Sequence, residues 1–549
     1  MSKLKPKFLI PALGAAVVIV GGIATYMYLK GGPSGGISDA VASAKLVPDD
    51  AMMATYIATD PKVWSKLEEF GTPEAQKIVA EGIKSFNESF SADNSISYDK
   101  DLKPWVGGVM VAVLPPSPVQ PAQNKTTTSP DPNILMVVGI KDKVEALNFT
   151  NKLKQQKNVK IEETDYKGQK IQETKGQGSP TYSTILNDRV LFSPSENALK
   201  QAIDTSKGEP SFFAKAGTSQ LIGSNLNLEN TLAQVYVPDY SGMVQKLIAT
   251  NPQAQQLPPQ TLEQLKQVKS FVAGIGVDDK GLRLKANTNL DPQKVKFQYE
   301  KTPGKVLSQL PQDTIALVSG GGISKWWNAF TEQAKDTPEL GQVLQNARGQ
   351  LKQLNLDLDK DIFGWMDGEF GIAAIPVNQG LLKQIGFGGA FLFHTGDRKT
   401  AEATFSKLDN LAKSQSIKIG QKDINGKQIT EWQIPGQGAF LAHGWLNDET
   451  ALVALGGPIA ETLSNKGLQP LNSSESFQKI TGTLPKENGG YFYLDMEKAQ
   501  PFATRFFPPT PEASAMLNSI SGIGVTATSP NKSLTQMEML LALKKNGEQ

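Results

Sequence analysis

An internal repeat is the feature that most constrains the fold of this 549-residue chain, because a repeated segment folds the same way twice. The first match pairs the segment from Val47, VPDDAMMATYIATDPKVWSKLEEF, with the segment from Leu310, LPQDTIALVSGGGISKWWNAFTEQ. The second pairs DKDLKPWVGG, from position 99, with DKDIFGWMDG, from position 359. The signature residues that these two matches align are Trp64 with Trp327, Trp105 with Trp365, and Gly108 with Gly368.

Later matches keep the same order along the chain, which argues against chance. They are DYKGQKI from Asp165 with DINGKQI from Asp423, the Leu-Asn-Asp triplets at 186–188 and 446–448, and GIGV at 274–277 with GIGV at 522–525. The copies lie about 260 residues apart, far more than the period of a solenoid repeat. Each copy should therefore be a domain with its own core, and we predict a first unit at 46–300 and a second at 301–549.

Each unit mixes short apolar runs with amphipathic segments. Near-alternating polarity around Tyr166-Lys167-Gly168 and around Asn187-Asp188 predicts β-hairpins, whereas single helices follow other strands. This pattern predicts an α+β domain with a largely antiparallel sheet covered by helices on one face. Residues 115–132, rich in proline and threonine, are predicted to be a disordered surface loop of the first unit.

The N-terminus carries the pattern of a membrane anchor. Residues 8–29 contain no charge and are long enough to cross a bilayer as a helix, and lysines at positions 3, 5 and 7 place residues 1–7 in the cytoplasm. Tyr-Leu-Lys follows directly instead of a small-residue cleavage site, which favours an uncleaved signal anchor over a cleaved signal peptide. Residues 30–45, which begin with a glycine-rich stretch, are predicted to be a flexible tether.

The composition excludes several classes of function. With no cysteine, the chain has no disulfide, thiolate metal site or cysteine nucleophile, and a net charge of +2 without a basic patch argues against nucleic-acid binding. Its two histidines, His394 and His443, are interpreted as surface or packed residues. We therefore predict a protein that is not an enzyme and has no cofactor and no catalytic or metal-binding residue.

Three polar patterns resemble binding sites. Alternating carboxylates at Asp357, Asp359 and Asp361 resemble the start of a calcium loop, but the glycine and glutamate that complete such a loop are missing, so helix capping is favoured. The glycines at 320–322 lack the Gly-Lys-Ser/Thr ending of a phosphate loop, so a turn is favoured. Asp367 and Glu369 are interpreted as solvated charges.

One apolar pattern differs from these. Phe502, Phe506 and Phe507 lie in a predicted loop near Pro508-Pro509, where they expose or bury a large apolar area. Contact with a partner is one interpretation, and packing inside the second unit is the other.

The anchor, the opening [LV]-P-x-D, the D-K-D-x-x-x-W-x-x-G segment and the closing G-I-G-V resemble a family of cyanobacterial membrane-anchored proteins, the domain of unknown function 3352 family. The resemblance implies a single-pass protein of the plasma or thylakoid membrane, with its body in the periplasm or lumen. It implies no catalytic residue. From this setting we expect a scaffold or assembly and maintenance factor for membrane protein complexes, with a membrane protein as partner. The alternative is a module that binds a small ligand or lipid at the membrane surface. The sequence leaves the oligomeric state open.

Overall fold

A computed structural model describes most of the chain. The described residues are 37–89, 98–115, 133–154, 160–175, 180–224, 226–250, 265–295, 297–335, 338–506 and 509–547. The predicted anchor at 8–29, the cytoplasmic segment at 1–7 and residues 116–132 of the predicted loop lie outside them. Within these ranges, no helix is both long and apolar enough to cross a bilayer.

The chain divides into two compact units between Lys294 and Val295, a few residues before the boundary predicted at 300. The strands of the first unit are β1 Met53–Ile57, β2 Val106–Leu114, β3 Asn133–Ile140, β4 Lys160–Tyr166, β5 Gln169–Lys175, β6 Thr181–Leu186, β7 Arg189–Ser193, β8 Thr231–Val237, β9 Val268–Asp278 and β10 Gly281–Leu290. They form an antiparallel sheet in the order β10-β9-β8-β1-β2-β3-β7-β6-β5-β4.

Helices connect these strands. They are α1 Ile37–Ala44, α2 Pro61–Ser65, α3 Pro73–Ser89, α4 Lys143–Lys154, α5 Glu196–Ser206, α6 Thr218–Gly223 and α7 Tyr240–Thr250, with 3₁₀ turns at Lys66–Glu69 and Phe212–Ala214 and a π turn at Tyr98–Leu102. Helix α1 lies within the segment 30–45 predicted as a flexible tether. Because its Ala40, Ser43 and Ala44 are buried, this part of the predicted tether packs into the first unit.

The second unit repeats this arrangement. Its strands are β11 Ala316–Gly321, β12 Glu369–Pro376, β13 Phe387–His394, β14 Lys418–Ile424, β15 Lys427–Ile434, β16 Gly438–Trp445, β17 Thr450–Leu455, β18 Tyr491–Asp495, β19 Ile520–Asn531 and β20 Leu534–Leu543. Their antiparallel order is β20-β19-β18-β11-β12-β13-β17-β16-β15-β14, the same as in the first unit. The predicted α+β class with an antiparallel sheet is confirmed.

The helices of the second unit are α8 Lys305–Gln309, α9 Ile323–Lys335, α10 Pro338–Gln353, α11 Arg398–Ser414, α12 Gly457–Ser464, α13 Glu475–Thr481, α14 Met496–Phe506 and α15 Pro511–Asn518. 3₁₀ turns lie at Leu381–Gln384 and Leu471–Ser473, and a π turn lies at Leu358–Gly364.

Two-residue turns set the hairpins that the sequence predicted. Lys167 and Gly168 join β4 to β5 with φ of 52° and 75°, and Asn425 and Gly426 join β14 to β15 with φ of 58° and 85°. Two consecutive residues of positive φ match the right-handed twist of the strands, and glycine and asparagine adopt that conformation most easily.

The helices pack on both faces of the second sheet, so the expectation of one covered face is wrong there. Ala390 and Leu392 of β13 join the larger core, under α12 and α13. The alternate residue Phe393 points to the other face and packs with Ala401 and Phe405 of α11 in a smaller core. Alternation along a strand assigns these cores to opposite faces. Hairpins and single helices in a sequence do not reveal on which face each helix packs.

The signature tryptophans all lie in the interior. Trp105 Nε1 donates to the Asp101 carbonyl at 2.7 Å, and Trp365 Nε1 donates to the Asp361 carbonyl at 2.9 Å, so each indole closes its own π turn. Buried indole N–H groups need such an acceptor. Trp64 and Trp327 are also buried.

The signature glycines mark close approaches. A Cβ at Gly108 would meet the Tyr56 hydroxyl and the Asp39 carboxylate, and a Cβ at Gly368 would lie 2.5 Å from the His394 carbonyl oxygen. Neither place has room for a side chain.

Candidate protein-binding surface

Three apolar side chains form an exposed row across the second sheet. Val318 on β11 is the cross-strand partner of Ile372 on β12 and of Phe492 on β18. Their exposed fractions are 45% for Val318, 38% for Ile372 and 40% for Phe492. All three face away from the larger core, because their neighbour Leu317 points into it.

The corresponding row of the first unit is buried. There Thr55 on β1 pairs with Val111 on β2 and with Val235 on β8. Their exposed fractions are only 2%, 7% and 1%, respectively. The same position of the same sheet is therefore covered in one unit and open in the other.

The helices that follow β11 also pack differently from those that follow β1. In the second unit α9, α10 and the π turn at Leu358–Gly364 pack against one another. Trp327 of α9 stacks on Phe363 of that turn with ring centroids 4.0 Å apart and donates to Asp359 Oδ1 at 2.8 Å. In the first unit α2 is short and contacts β8, and Trp64 donates instead to the Ala58 carbonyl at 2.6 Å. Helix α9, which is longer than α2 of the first unit, thus packs against the π turn.

The residues around the row are also apolar. The same face of β11, β12 and β18 carries a second row two residues further along each strand. It consists of Leu494, Ala316 and Ala374. We call these six residues the open face: Ala316, Val318, Ile372, Ala374, Phe492 and Leu494. In an antiparallel sheet, the face that is in contact with water normally carries polar side chains. An exposed face made of apolar side chains therefore indicates a surface that binds another molecule.

Phe502, predicted as a partner contact, lies beside this region. Its ring packs edge-on against Phe387 of β13 with centroids 5.6 Å apart. The same ring lies against Gly386 and occupies the space that a Cβ at that position would need. Phe502 and Phe506 belong to helix α14 and not to a loop, which corrects that expectation. The side chain of Phe506 and residue Phe507 lie outside the described residues.

The open face was not identified from the sequence. Val318 and Ile372 lie in short apolar runs, and Thr55 and Val111 hold the corresponding places in the first unit. Both pairs suit a strand equally well. The one signal in the sequence for an exposed apolar face is that apolar and polar residues do not alternate along β11. A strand that is buried on both faces has the same pattern, so this signal does not distinguish the two cases.

A polar pocket of about 410 Å³ is a second feature of the second unit. The residues that line it come from the ends of β11, β12 and β13, from the start of α8 and the segment before it, and from the turn before β17. They include Lys305, Gly322, Asp367, Glu369, His394 and Glu449. The pocket therefore contains charges of both signs.

Glu369 was predicted to be a solvated charge and is instead 6% exposed. Burial raises the pKa of its carboxyl, and backbone N–H groups of residues 304–306 partly offset that rise. One of these, the N–H of Lys305, donates to Glu369 Oε2 at 2.8 Å. Glu369 is the first residue of β12 and lies under the start of helix α8. The periodicity of the sequence does not reveal this contact, so it predicts a solvated charge.

His394 is buried and held in one orientation. Its Nε2 lies 3.3 Å from Thr450 Oγ1, and that hydroxyl accepts a hydrogen bond from Gln309 Nε2 at 3.0 Å. Burial lowers the pKa of His394, so the ring is neutral near pH 7.

His443 is buried on the other face of the same sheet. Its Nε2 lies 2.8 Å from Asp409 Oδ1, which also accepts from Trp432 Nε1 at 2.7 Å, and its ring stacks on Phe405. Both histidines therefore have protein partners.

The three aspartates of the calcium-like pattern also have protein partners. Asp357 caps the π turn by accepting from the N–H groups of Asp359 and Lys360. Asp359 accepts two hydrogen bonds from Arg348, at 2.7 and 2.8 Å, and Asp361 pairs with Lys407 at 2.6 Å. In the described ranges, no group of three or more acidic or histidine side chains is arranged to hold a metal ion.

The glycines at 320–322 also differ from expectation. Gly320 and Gly321 belong to strand β11, and only Gly322, with φ of 61°, makes the turn into α9. The Gly322 N–H donates to the Gly368 carbonyl at 2.8 Å, so it is not available to a phosphate.

Comparisons with known proteins give one strong match and several distant ones. Residues 12–543 match the family described as "Protein of unknown function (DUF3352)". A search of curated proteins finds no significant match. Among solved structures, crystal form III of TP0453 aligns at 11% identity and a TM-score of 0.23, over 46% of this chain and 82% of that chain. Crystal form IV aligns at 12% identity and a TM-score of 0.24, over 47% of this chain and 83% of that chain.

Proposed function

We propose that this chain, which belongs to the DUF3352 family of proteins of unknown function, is a non-enzymatic scaffold or assembly factor for membrane protein complexes. The observation that carries the proposal is the open face. Three large apolar side chains are exposed there at the positions that the first unit buries. Leaving them in water forgoes hydrophobic free energy that a bound partner would recover.

The proposal includes a location. We infer that residues 8–29 anchor the chain in the plasma or thylakoid membrane, with the N-terminus in the cytoplasm and both units in the periplasm or lumen. The uncharged segment and the lysines before it support this orientation. We also infer that the two units arose by duplication of a cyanobacterial domain, which their identical strand order supports.

The test is affinity purification of the tagged full-length protein from mildly solubilised membranes. The wild-type protein is expected to retain a membrane complex through a salt wash, because apolar contacts are not screened by ions. The double variant Val318→Lys, Phe492→Lys is expected to lose it, because a lysine in a dry contact is costly to desolvate. A wild-type protein recovered alone would overturn the scaffold function.

A matched control is available in the first unit. Val144 and Leu147 on α4 are 67% and 60% exposed, so the double variant Val144→Lys, Leu147→Lys adds the same two charges at other exposed apolar positions. The control is expected to retain the complex. Retention by the double variant would exclude the open face as the binding surface.

The polar pocket favours a second candidate function, the binding of a small polar ligand. Its buried Glu369 and His394 and its volume of about 410 Å³ suit a molecule with both donors and acceptors. Native mass spectrometry of the purified protein tests it. A bound mass that disappears in Glu369→Gln would support this function, and an unliganded protein in both cases would exclude it.

A further inference from the structure

We propose that the polar pocket of the second unit binds a small molecule that carries a guanidinium group, which pairs with the carboxylate of Glu369. This inference rests on the second candidate function, the binding of a small polar ligand. The observation behind it comes from the first unit, where an arginine of the chain itself pairs with a carboxylate at the corresponding place. The second unit keeps a carboxylate there and has lost the arginine.

The strand registers fix which residues of the two units correspond. The matched row continues through Val111, Met136 and Phe192 in the first unit and through Ile372, Phe391 and Val453 in the second. Three residues from this row, towards one end of each sheet, the corresponding pairs are Gly108 with Glu369, Gly139 with His394, and Arg189 with Thr450. Glu369, and not Gly368, takes the place of Gly108, because the second unit has one more residue between Trp365 and the row.

In the first unit, Arg189 forms a buried ion pair. Its side chain lies over Gly139, where a Cβ would approach Nη1 to 3.2 Å, and its Nη2 donates to Asp39 Oδ1. Asp39 belongs to helix α1, and its carboxylate fills the space that a Cβ at Gly108 would need. Arg189 is 5% exposed, so the guanidinium is shielded from solvent.

The second unit has the carboxylate without the arginine. Glu369 stands at the position of Gly108, so its side chain begins where the Asp39 carboxylate lies in the first unit. Thr450 stands at the position of Arg189, and its side chain is too short to reach a carboxylate two strands away, on β12. A buried carboxylate is stable only when it is paired or hydrogen-bonded, and the first unit meets this need with a guanidinium.

A difference between two helices opens the pocket. Helix α1 begins at Ile37, which the repeat aligns with position 300, whereas the equivalent helix α8 begins about one turn later, at Lys305. Residues 300–303 therefore line the pocket at the place where the first turn of α1 carries Asp39 in the first unit. The resulting volume of about 410 Å³ lies within the range of small-molecule sites, roughly 300–1,000 Å³.

Two carboxylates of this pocket have only backbone partners. Glu369 Oε2 accepts from the Lys305 N–H at 2.8 Å, and Asp367 Oδ1 accepts from the Gly396 N–H at 3.3 Å. Among the residues that the structure describes, neither carboxylate forms an ion pair with a lysine or an arginine. The Nζ of Lys305 lies 3.5 Å from Glu449 Oε2 instead.

The other charges that line the pocket are already paired. Glu300 pairs with Lys325 at 2.7 Å, and Lys301 pairs with Glu487 at 2.5 Å. The excess charge of the pocket is therefore negative, which favours a cation. A guanidinium suits the site better than an ammonium, because its planar N–H groups can donate to a carboxylate in pairs and to a second acceptor at the same time.

Isothermal titration calorimetry of the full-length protein in mild detergent tests the proposal. The probe is L-arginine amide. The matched control compound is L-citrulline amide, which has the same length but carries an uncharged ureido group. We expect arginine amide to bind at least about tenfold more tightly, because charged hydrogen bonds in a shielded site are stronger than neutral ones.

Two variants test whether the binding occurs in the pocket. Glu369→Gln removes the charge and keeps the shape of the side chain, so it is expected to weaken the binding of arginine amide at least about tenfold. Glu449→Gln is the control, because Glu449 lines the same pocket but its side chain is 67% exposed. It is expected to change the affinity by less than about threefold.

The outcomes separate this proposal from the function on which it rests. Equal affinity for the two amides, no binding of arginine amide, or binding that Glu369→Gln leaves unchanged would each overturn the guanidinium ligand. If native mass spectrometry still finds a bound mass that Glu369→Gln removes, the second candidate function stands with a ligand of another class. If it finds no bound mass, both are overturned. The comparison of the two amides uses the wild-type protein, so it holds even where Glu369→Gln fails to fold.

Discussion

Val235 in the first unit and Val318 in the second unit lie in corresponding rows of their sheets but differ in burial. Comparing the single substitutions Val235→Ala and Val318→Ala therefore measures whether the row that contains Val318 is exposed. Val→Ala removes two methyl groups, worth about 1.6 kcal/mol of transfer free energy when fully buried. At Val235, which is 1% exposed, a residual cavity raises the expected loss in free energy of unfolding to about 2 kcal/mol. At Val318, which is 45% exposed, we expect less than about 1 kcal/mol, because solvent fills the vacated space.

Differential scanning calorimetry of the full-length protein in mild detergent is the assay. For a unit of about 250 residues, 1 kcal/mol shifts Tm by about 2–4 °C. Val235→Ala should therefore lower the Tm of the first unit by about 4–8 °C, and Val318→Ala should lower the Tm of the second unit by less than about 4 °C. Equal losses would show that Val318 is covered within the protein, which would refute the open face.

Other predictions concern the second unit. Gly368→Ala should destabilise it by more than about 2 kcal/mol in urea denaturation, because the new Cβ meets the His394 carbonyl. Burial raises the pKa of Glu369 in the folded state, so its contribution to stability is full at low pH and is lost as the pH rises through that pKa. The stability of the wild type relative to Glu369→Gln should therefore fall as the pH rises above about 4.5. Arg348 holds the pKa of Asp359 below its usual range, so the contribution of this pair to stability is present above about pH 4 and is lost on acidification. Arg348→Gln should therefore cost at most about 1 kcal/mol at pH 7, because the pair is part-exposed, and less as the pH falls below about 4.

Local pattern predicted much of the fold. The alternation around Asn187-Asp188 and the turn at Lys167-Gly168 are hairpins in the structure, because turn residues with positive φ and period-two polarity act over only a few residues. The face that each helix covers was not predictable. Helix α11 packs opposite the larger core through Phe405, and its side of the sheet depends on the path of the whole connection.

The candidate site was harder to predict. Asp359 belongs to a pattern that resembles a calcium loop, and in the structure it accepts hydrogen bonds from Arg348 of helix α10. Glu369 looked exposed and is buried under α8. Charged residues attract interest in a sequence, but their partners come from distant segments, which no local pattern identifies.

The sequence by itself determined the duplicated unit, its α+β class and the positions where a tryptophan or a glycine is required. These features depend on residue patterns a few positions long, and each pattern occurs once in each unit. Only the tertiary structure decided that Val318 is exposed where Thr55 is buried. Both positions have the same strand pattern, and burial depends on how other segments pack over them. In the second unit, no packed segment among the described residues buries Val318, Ile372 and Phe492 to the extent that the first unit buries the corresponding row.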